Sequence, residues 1–233
     1  MLSSLENNSP SINKNLKIHE RLLCFKITKQ NSTLAFLAKL PFMDSISSLL
    51  TFFKKLQPIS LDAEADLVGL CTLKNFGKNE EIQSIGATCR TIYFIVSGVG
   101  RIYYLKDGVE VTEYFAFPNE LIIRAESLFT QLPSKKAIQA LEESEVVAIS
   151  AEPLFRLFER HHDLERLFHK LIQQAYVETL KRLENIQFLT AEERYEKLLE
   201  EKPELIQKIP LKHVASFLGI TQVSLSRIRG QRK

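Results

Sequence analysis

The chain has 233 residues, of which 45% are hydrophobic and 25% charged, and a net charge of +3. That is room for two modest domains of ordinary globular composition, each able to bury its own core. No apolar run approaches the roughly 20 residues that span a bilayer, and Met1 to Asn15 lacks the apolar stretch of a secretory signal, so a cytoplasmic protein without a membrane segment is expected.

Residues 1–42 carry a polar start and an apolar stretch, Leu34 to Leu40, and form an extension with no assigned role. From Leu49 the apolar residues Leu49, Leu50, Phe53 and Leu56 recur at helical spacing. After Pro58, Ser60 or Asp62 is a cap for a short helix bearing Ala65, Leu67, Val68 and Leu70.

The period then falls to two. Strands are expected at Ile82 to Ile85, Thr91 to Val96, Gly100 to Leu105 and Val109 to Phe115, with a closing strand from Glu145 to Ser150. Asp107-Gly108 between two alternating runs is a strong hairpin signal. Short, evenly spaced strands with glycine punctuation imply a small antiparallel β-roll or jelly roll.

Beyond Glu152 the pattern is helical. Leu164, Phe168, Leu171, Ile172, Ala175, Tyr176, Leu180 and Leu183 make one apolar stripe on a helix expected from Asp163 to about Gln187. Such a helix is longer than a small roll needs, so the stripe is a candidate dimer seam. The remaining reading is a helix buried against its own roll.

Charge is uneven near the carboxyl terminus. Thr190 to Glu204 holds six acids against three bases, whereas Lys208 to Lys233 holds six bases and no acid. Within that basic block Val214, Ala215 and Leu218 share a helical face, and Gly219 can end the helix in the left-handed conformation. Thr221 is a good N-cap, and Leu225 and Ile228 mark the inner face of a second helix. Ala215, Gly219, Leu225 and Ile228, at spacings of four, six and three, form a helix-turn-helix core. The outer face follows. Gln222, Val223, Ser226 and Arg227 are the candidate base-reading residues, and Lys212, His213, Thr221 and Arg229 the candidate phosphate contacts.

In this order, a β-roll, a long helix and a helix-turn-helix resemble the Crp/Fnr family of bacterial transcription regulators. The residues that carry the resemblance are Ile209 to Arg229, Tyr93-Phe-Ile-Val-Ser-Gly98 and Lys106-Asp-Gly108, and it extends over about Asp44 to Lys233. The fold class expected is α+β: an antiparallel β-roll with flanking helices, a long dimerisation helix and a winged-helix-like helix-turn-helix domain. The expected boundaries are 43–152 for a cyclic-nucleotide-binding-like sensor, 153–189 for the dimerisation helix and 190–233 for the DNA-binding domain. The resemblance implies a homodimer acting on double-stranded DNA at palindromic operators. RNA polymerase is the further partner an activator would need.

Several positions depart from the family. Cyclic-nucleotide binders carry a cassette with Gly-Glu at its head, gripping the ribose, and Arg-Ser or Arg-Thr near its end, neutralising the phosphate. The equivalent stretch here, Asn119 to Ala140, has Asn119-Glu120 at the head and Ser134-Lys135-Lys136 at the end. Lysine lacks the planar fork that bonds two phosphate oxygens, and Arg124 substitutes only if the loop is rebuilt. Cyclic AMP is therefore disfavoured. The candidate effector pocket (Glu120, Arg124, Ser134, Lys135 and Lys136) holds another small effector or none. Val223 stands where a base-reading Glu is often found, so a different operator is expected. The chain stops four residues after Arg229, which leaves no room for a long wing strand.

Cys24, Cys71 and Cys89 are unclustered and too few for an iron–sulfur sensor, so no metal or cofactor is expected. No nucleophile elbow, phosphate loop or metal cluster is present, and an enzyme is not expected. The alternative to a DNA-binding regulator is a ligand-binding module whose helix-turn-helix mediates protein contacts.

Overall fold

The computed structural model describes residues 40–231, and from Asp44 onward the described residues pack as one compact unit. Cys24, the apolar stretch from Leu34 to Lys39, and Arg232 and Lys233 of the basic block lie outside the described residues.

Two helices come first, α1 (Leu40–Leu56) and α2 (Leu61–Val68). The helical spacing of Ile46, Leu49, Leu50 and Phe53 puts all four on one buried face. Ser60 caps α2, its hydroxyl accepting from the Ala63 amide at 3.4 Å.

The chain then winds into a roll of eight strands: β1 (Cys71–Phe76), β2 (Glu81–Gln83), β3 (Thr91–Ser97), β4 (Gly100–Lys106), β5 (Val109–Ala116), β6 (Leu121–Ile122), β7 (Ala137–Ala140) and β8 (Ser144–Ser150). They form two antiparallel four-stranded sheets, ordered β1-β8-β3-β6 and β2-β7-β4-β5. The inner faces interdigitate through Tyr93, Ile95, Ile122 and Val146 of the first sheet and Ile82, Ile102 and Ile138 of the second. The first sheet is buried on its outer face as well, where the Phe94 ring lies 5.6 Å from Phe52. Double burial explains the unbroken apolar runs of β3 and β8.

All five expected strands form, with shifted ends. The strand expected at Ile82 to Ile85 is shorter, and β1, β6 and β7 are additional. Those three escape a periodicity reading because β1 is an edge strand with lysine and asparagine in it, β6 has two residues and β7 has four. Asp107 and Gly108 both take positive φ (53° and 77°), and Lys106 pairs with Val109 across them, the two-residue turn that matches strand twist. In β5 the pairing slips: Ile102 faces Tyr114 and Tyr103 faces Thr112, leaving Glu113 as the extra residue of a bulge.

A short helix, α3 (Ala125–Thr130), lies between β6 and β7, and α4 (Ala151–Leu157) follows β8. The long helix α5 (His162–Phe188) has 27 residues, about 40 Å at 1.5 Å per residue. It leads into α6 (Ala191–Glu201), opened by a reciprocal cap in which Thr190 and Glu193 bond each other's backbone amides. Then come α7 (Pro203–Lys208), α8 (Leu211–Phe217) and α9 (Gln222–Gly230). Among the described residues no strand follows β8. None of the described helices is long and apolar enough to cross a membrane.

Candidate nucleic-acid interface

The helix-turn-helix is built from α8 and α9. Val214, Ala215 and Leu218 are buried on the inner face of α8, where the methyl of Ala215 lets the second helix approach. Gly219 takes φ +72°, and the Ile220 amide returns to the Ala215 carbonyl at 3.0 Å, which ends α8. Thr221 then caps α9: its hydroxyl accepts from the Ser224 amide at 3.1 Å and lies 3.0 Å from the Ser224 hydroxyl. Leu225 is fully buried and Ile228 partly so.

The opposite side of α9 is open. Gln222, Val223, Ser226 and Arg227 are all exposed, Val223 by 63%, and Lys212 and Arg229 are exposed beside them. Two residues expected to contact phosphate do not stand free. The Thr221 hydroxyl is engaged in its cap. His213 is buried, because α8 turns it inward onto the roll, where its Nδ1 accepts from Arg101 Nη1 at 2.8 Å. Burial, with the charges of Arg101 and Lys212 nearby, pulls the His213 imidazole down to about 4, so it is neutral at pH 7.

That contact belongs to a large seam between roll and helix-turn-helix. Arg101 is only 1% exposed; it donates to Gln139 Oε1 at 2.8 Å, ion-pairs Glu110 and stacks on the Tyr103 ring. The guanidinium in turn holds the Glu110 carboxyl below its usual range. Around it Val99, Phe115 and Phe117 of the roll share one core with Tyr195, Leu198, Val214 and Leu225. Phe115 and Phe217 meet at 5.2 Å. Arg182 of α5 stacks on Phe217 and donates to its carbonyl, so the long helix also grips the end of α8. Sequence reasoning misses Arg101 and Arg182. The one available signal is an arginine inside the otherwise apolar run of β4.

The α5 stripe divides in two. Leu164 and Phe168, expected in the dimer seam, are buried within the chain itself, the Phe168 ring 5.9 Å from Phe53 and 5.3 Å from Phe158. The first two turns of α5 lie on the roll and its helices, so their apolar face is already covered. Beyond the half-buried Leu171 the stripe emerges. Ile172, Ala175, Tyr176, Leu180 and Leu183 are exposed, joined by Val177 and Ile186, which the sequence reading had not included.

The candidate effector residues are also redistributed. Asn119 takes φ +67°, a conformation in which asparagine replaces glycine at modest cost. Both carboxylate oxygens of Glu120 are engaged: one accepts from the Phe117 amide at 3.1 Å and the other pairs with Lys202, at the end of α6, at 2.9 Å. Ser134 is buried and closes its own turn, bonding the carbonyl and amide of Lys136, while Lys135 is exposed. Arg124 and Lys136 do converge, on one carboxylate oxygen of Glu113, at 3.7 and 2.6 Å. In this structure the Glu120 carboxylate is engaged by Lys202, and Arg124 and Lys136 share the Glu113 carboxylate. Among the described residues no group of three or more His, Cys, Asp and Glu side chains is placed to hold a metal.

The order of antiparallel roll, long helix and helix-turn-helix is the one expected from the resemblance to the Crp/Fnr family. Residues 73–161 match the family of cyclic nucleotide-binding domains. Among solved structures the chain is similar to FixK2 from Bradyrhizobium japonicum (TM-score 0.59, 21% identity, covering 69% of this chain and 83% of that one). It is similar also to a protein from Eubacterium rectale described as a transcriptional regulator of the Crp/Fnr family (TM-score 0.59, 18% identity, 73% and 82% covered). A third is CLP, the c-di-GMP responsive global regulator of Xanthomonas campestris (TM-score 0.58, 15% identity, 74% and 91% covered). At these identities the likeness is one of fold. A search of curated proteins finds no match.

Proposed function

We propose that this protein is a sequence-specific DNA-binding transcription regulator that works as a homodimer on palindromic operators, with no requirement for cyclic AMP. The observation that carries this reading is the helix α9. Its inner face is locked by Leu225 and Ile228, its start is capped by Thr221, and its outer face presents Gln222, Val223, Ser226 and Arg227 to solvent. Recognition helices meet base edges through residues in their amino-terminal part. Arg227 has the fork that bonds guanine at two atoms, Gln222 the amide that does so for adenine, and Val223 the methyls that touch thymine. Lys212 and Arg229 flank this face as phosphate contacts.

The second half of α5 supplies the dimer. Its exposed apolar residues Ile172, Tyr176, Leu180 and Leu183 recur every three to four residues, and a second copy of the chain would cover them. Pairing two chains along α5 would set two recognition helices for half-sites about 34 Å apart on one face of the duplex.

The test is selection of random duplex DNA by the purified full-length protein without added ligand. Recovery of a palindrome with half-sites about one helical turn apart is expected. No enrichment, either alone or with cyclic nucleotides present, would overturn the reading.

A further inference from the structure

We propose that Glu113 is a built-in anion, whose carboxylate occupies the cationic site between Arg124 and Lys136 where a ligand's phosphate would otherwise bind. The proposal rests on the reading of Arg124 and Lys136 as the effector site of the sensor roll.

The strand itself makes this arrangement. Along β5, Thr112 and Phe115 face the helix-turn-helix, the first beside Arg101 and the second against Phe217. In a regular strand one residue of the two between them would share that side. The bulge instead turns Glu113 to Arg124 and Lys136, while Tyr114 packs against the roll core. Glu113 has no cross-strand partner in the register, and its carboxylate is free to reach away from the sheet.

The charges are unequal. Two cations share a single carboxylate, and Arg182 of α5 also feels its charge. Arg124 is 95% buried (5% exposed), its contact with Glu113 is a loose 3.7 Å, and its Nε has no hydrogen-bond partner among the described residues. A buried guanidinium left without an anion is costly, so the site needs a negative group. Glu113 supplies one and leaves donor capacity over.

The same bulge touches the DNA-binding half. The Thr112 amide, adjacent to Glu113 in the chain, donates to Ser216 Oγ of α8 at 3.1 Å. Occupation of the cationic site by Glu113 and the docking of α8 therefore depend on one local backbone conformation. A sensor satisfied by its own carboxylate holds that conformation without an external ligand.

The experiment uses the full-length chain, with cyclic AMP and inorganic phosphate titrated separately by calorimetry into wild type and Glu113→Gln. Wild type is expected to bind neither below about 1 mM, and the variant to bind phosphate oxyanions at least about tenfold more tightly than wild type. Gain for phosphate alone or for both probes would mark a bare anion site, and gain for cyclic AMP alone a site that also takes the nucleoside; each supports the proposal. Saturable binding by wild type, or no gain in the variant, would overturn it. Adding Arg124→Gln to the variant should abolish the gain, and a gain that survives would also overturn it. Glu113→Asp, which keeps the charge but shortens its reach, should give an intermediate gain, and provides the same comparison if Glu113→Gln does not fold. Retention of selected DNA by wild type is read separately, so failure of the DNA-binding reading leaves the ligand result interpretable.

Discussion

Arg101 and His213 lie 112 residues apart in the chain and meet at 2.8 Å inside the seam between the roll and the helix-turn-helix. The guanidinium can only donate, so the imidazole nitrogen it meets must be unprotonated. This pair ties the orientation of α8 to strand β4 of the roll.

A pH dependence follows. His213 is held at about 4, below its ordinary 6.5, so the unfolded chain takes up the proton first. The stabilisation is complete above pH 6.5 and is lost as the pH falls from there towards 4, on the order of 2 kcal/mol after allowing for solvent screening. Denaturant unfolding at pH 7, 6 and 5 should show this loss in wild type and a flatter profile in His213→Gln. Parallel profiles for the two proteins would contradict it.

On the DNA side, Arg227→Ala should weaken binding to the selected operator by about 1–3 kcal/mol and relax preference at one base pair. Arg229→Ala, at a proposed phosphate contact, should instead weaken all sequences alike and flatten the salt dependence. Competition binding at two salt concentrations separates the two patterns.

For the dimer, Leu180→Glu places a charge in the middle of the exposed α5 stripe and should convert a dimer to a monomer in sedimentation equilibrium. The fold should survive, because Leu180 is 40% exposed. An unchanged mass would move the dimer interface away from this stripe.

Gly98 joins β3 to β4 with φ +85°, and a Cβ there would lie 2.1 Å from Ser144 Oγ and 2.6 Å from the Glu143 carbonyl. Backbone, not only a movable side chain, blocks the space. Gly98→Ala should cost about 3 kcal/mol or more, combining the strained φ with a displaced β8 start. Gly86→Ala has the same sign of φ but nothing within 4 Å, so its loss should be smaller, which thermal unfolding of the two variants can compare.

Much of the fold was legible because its signals are local. The Asp107-Gly108 turn, the cap at Thr221 and the left-handed Gly219 each express a backbone preference within a few residues, and all three occur as expected. The exposed face of α9 follows once Leu225 is known to point inward. His213 escapes a local reading for a corresponding reason: helical spacing places it beside exposed Lys212, but its partner Arg101 lies far away in sequence. Glu120 was likewise assigned to a pocket by position in a motif, whereas Lys202, 82 residues on, takes its carboxylate.

The sequence by itself determined the order of roll, long helix and helix-turn-helix, since period, turn chemistry and capping are properties of short segments. Only the tertiary structure decided which surfaces are spent and which are left open. It covers Leu164 and Phe168 but leaves Tyr176 and Leu180 exposed, and it seats His213 in the seam and Glu113 on the two cations. The physical reason is that burial and charge pairing are settled between residues distant in the chain, where a one-residue bulge or a helix two turns longer changes the partner without changing the pattern.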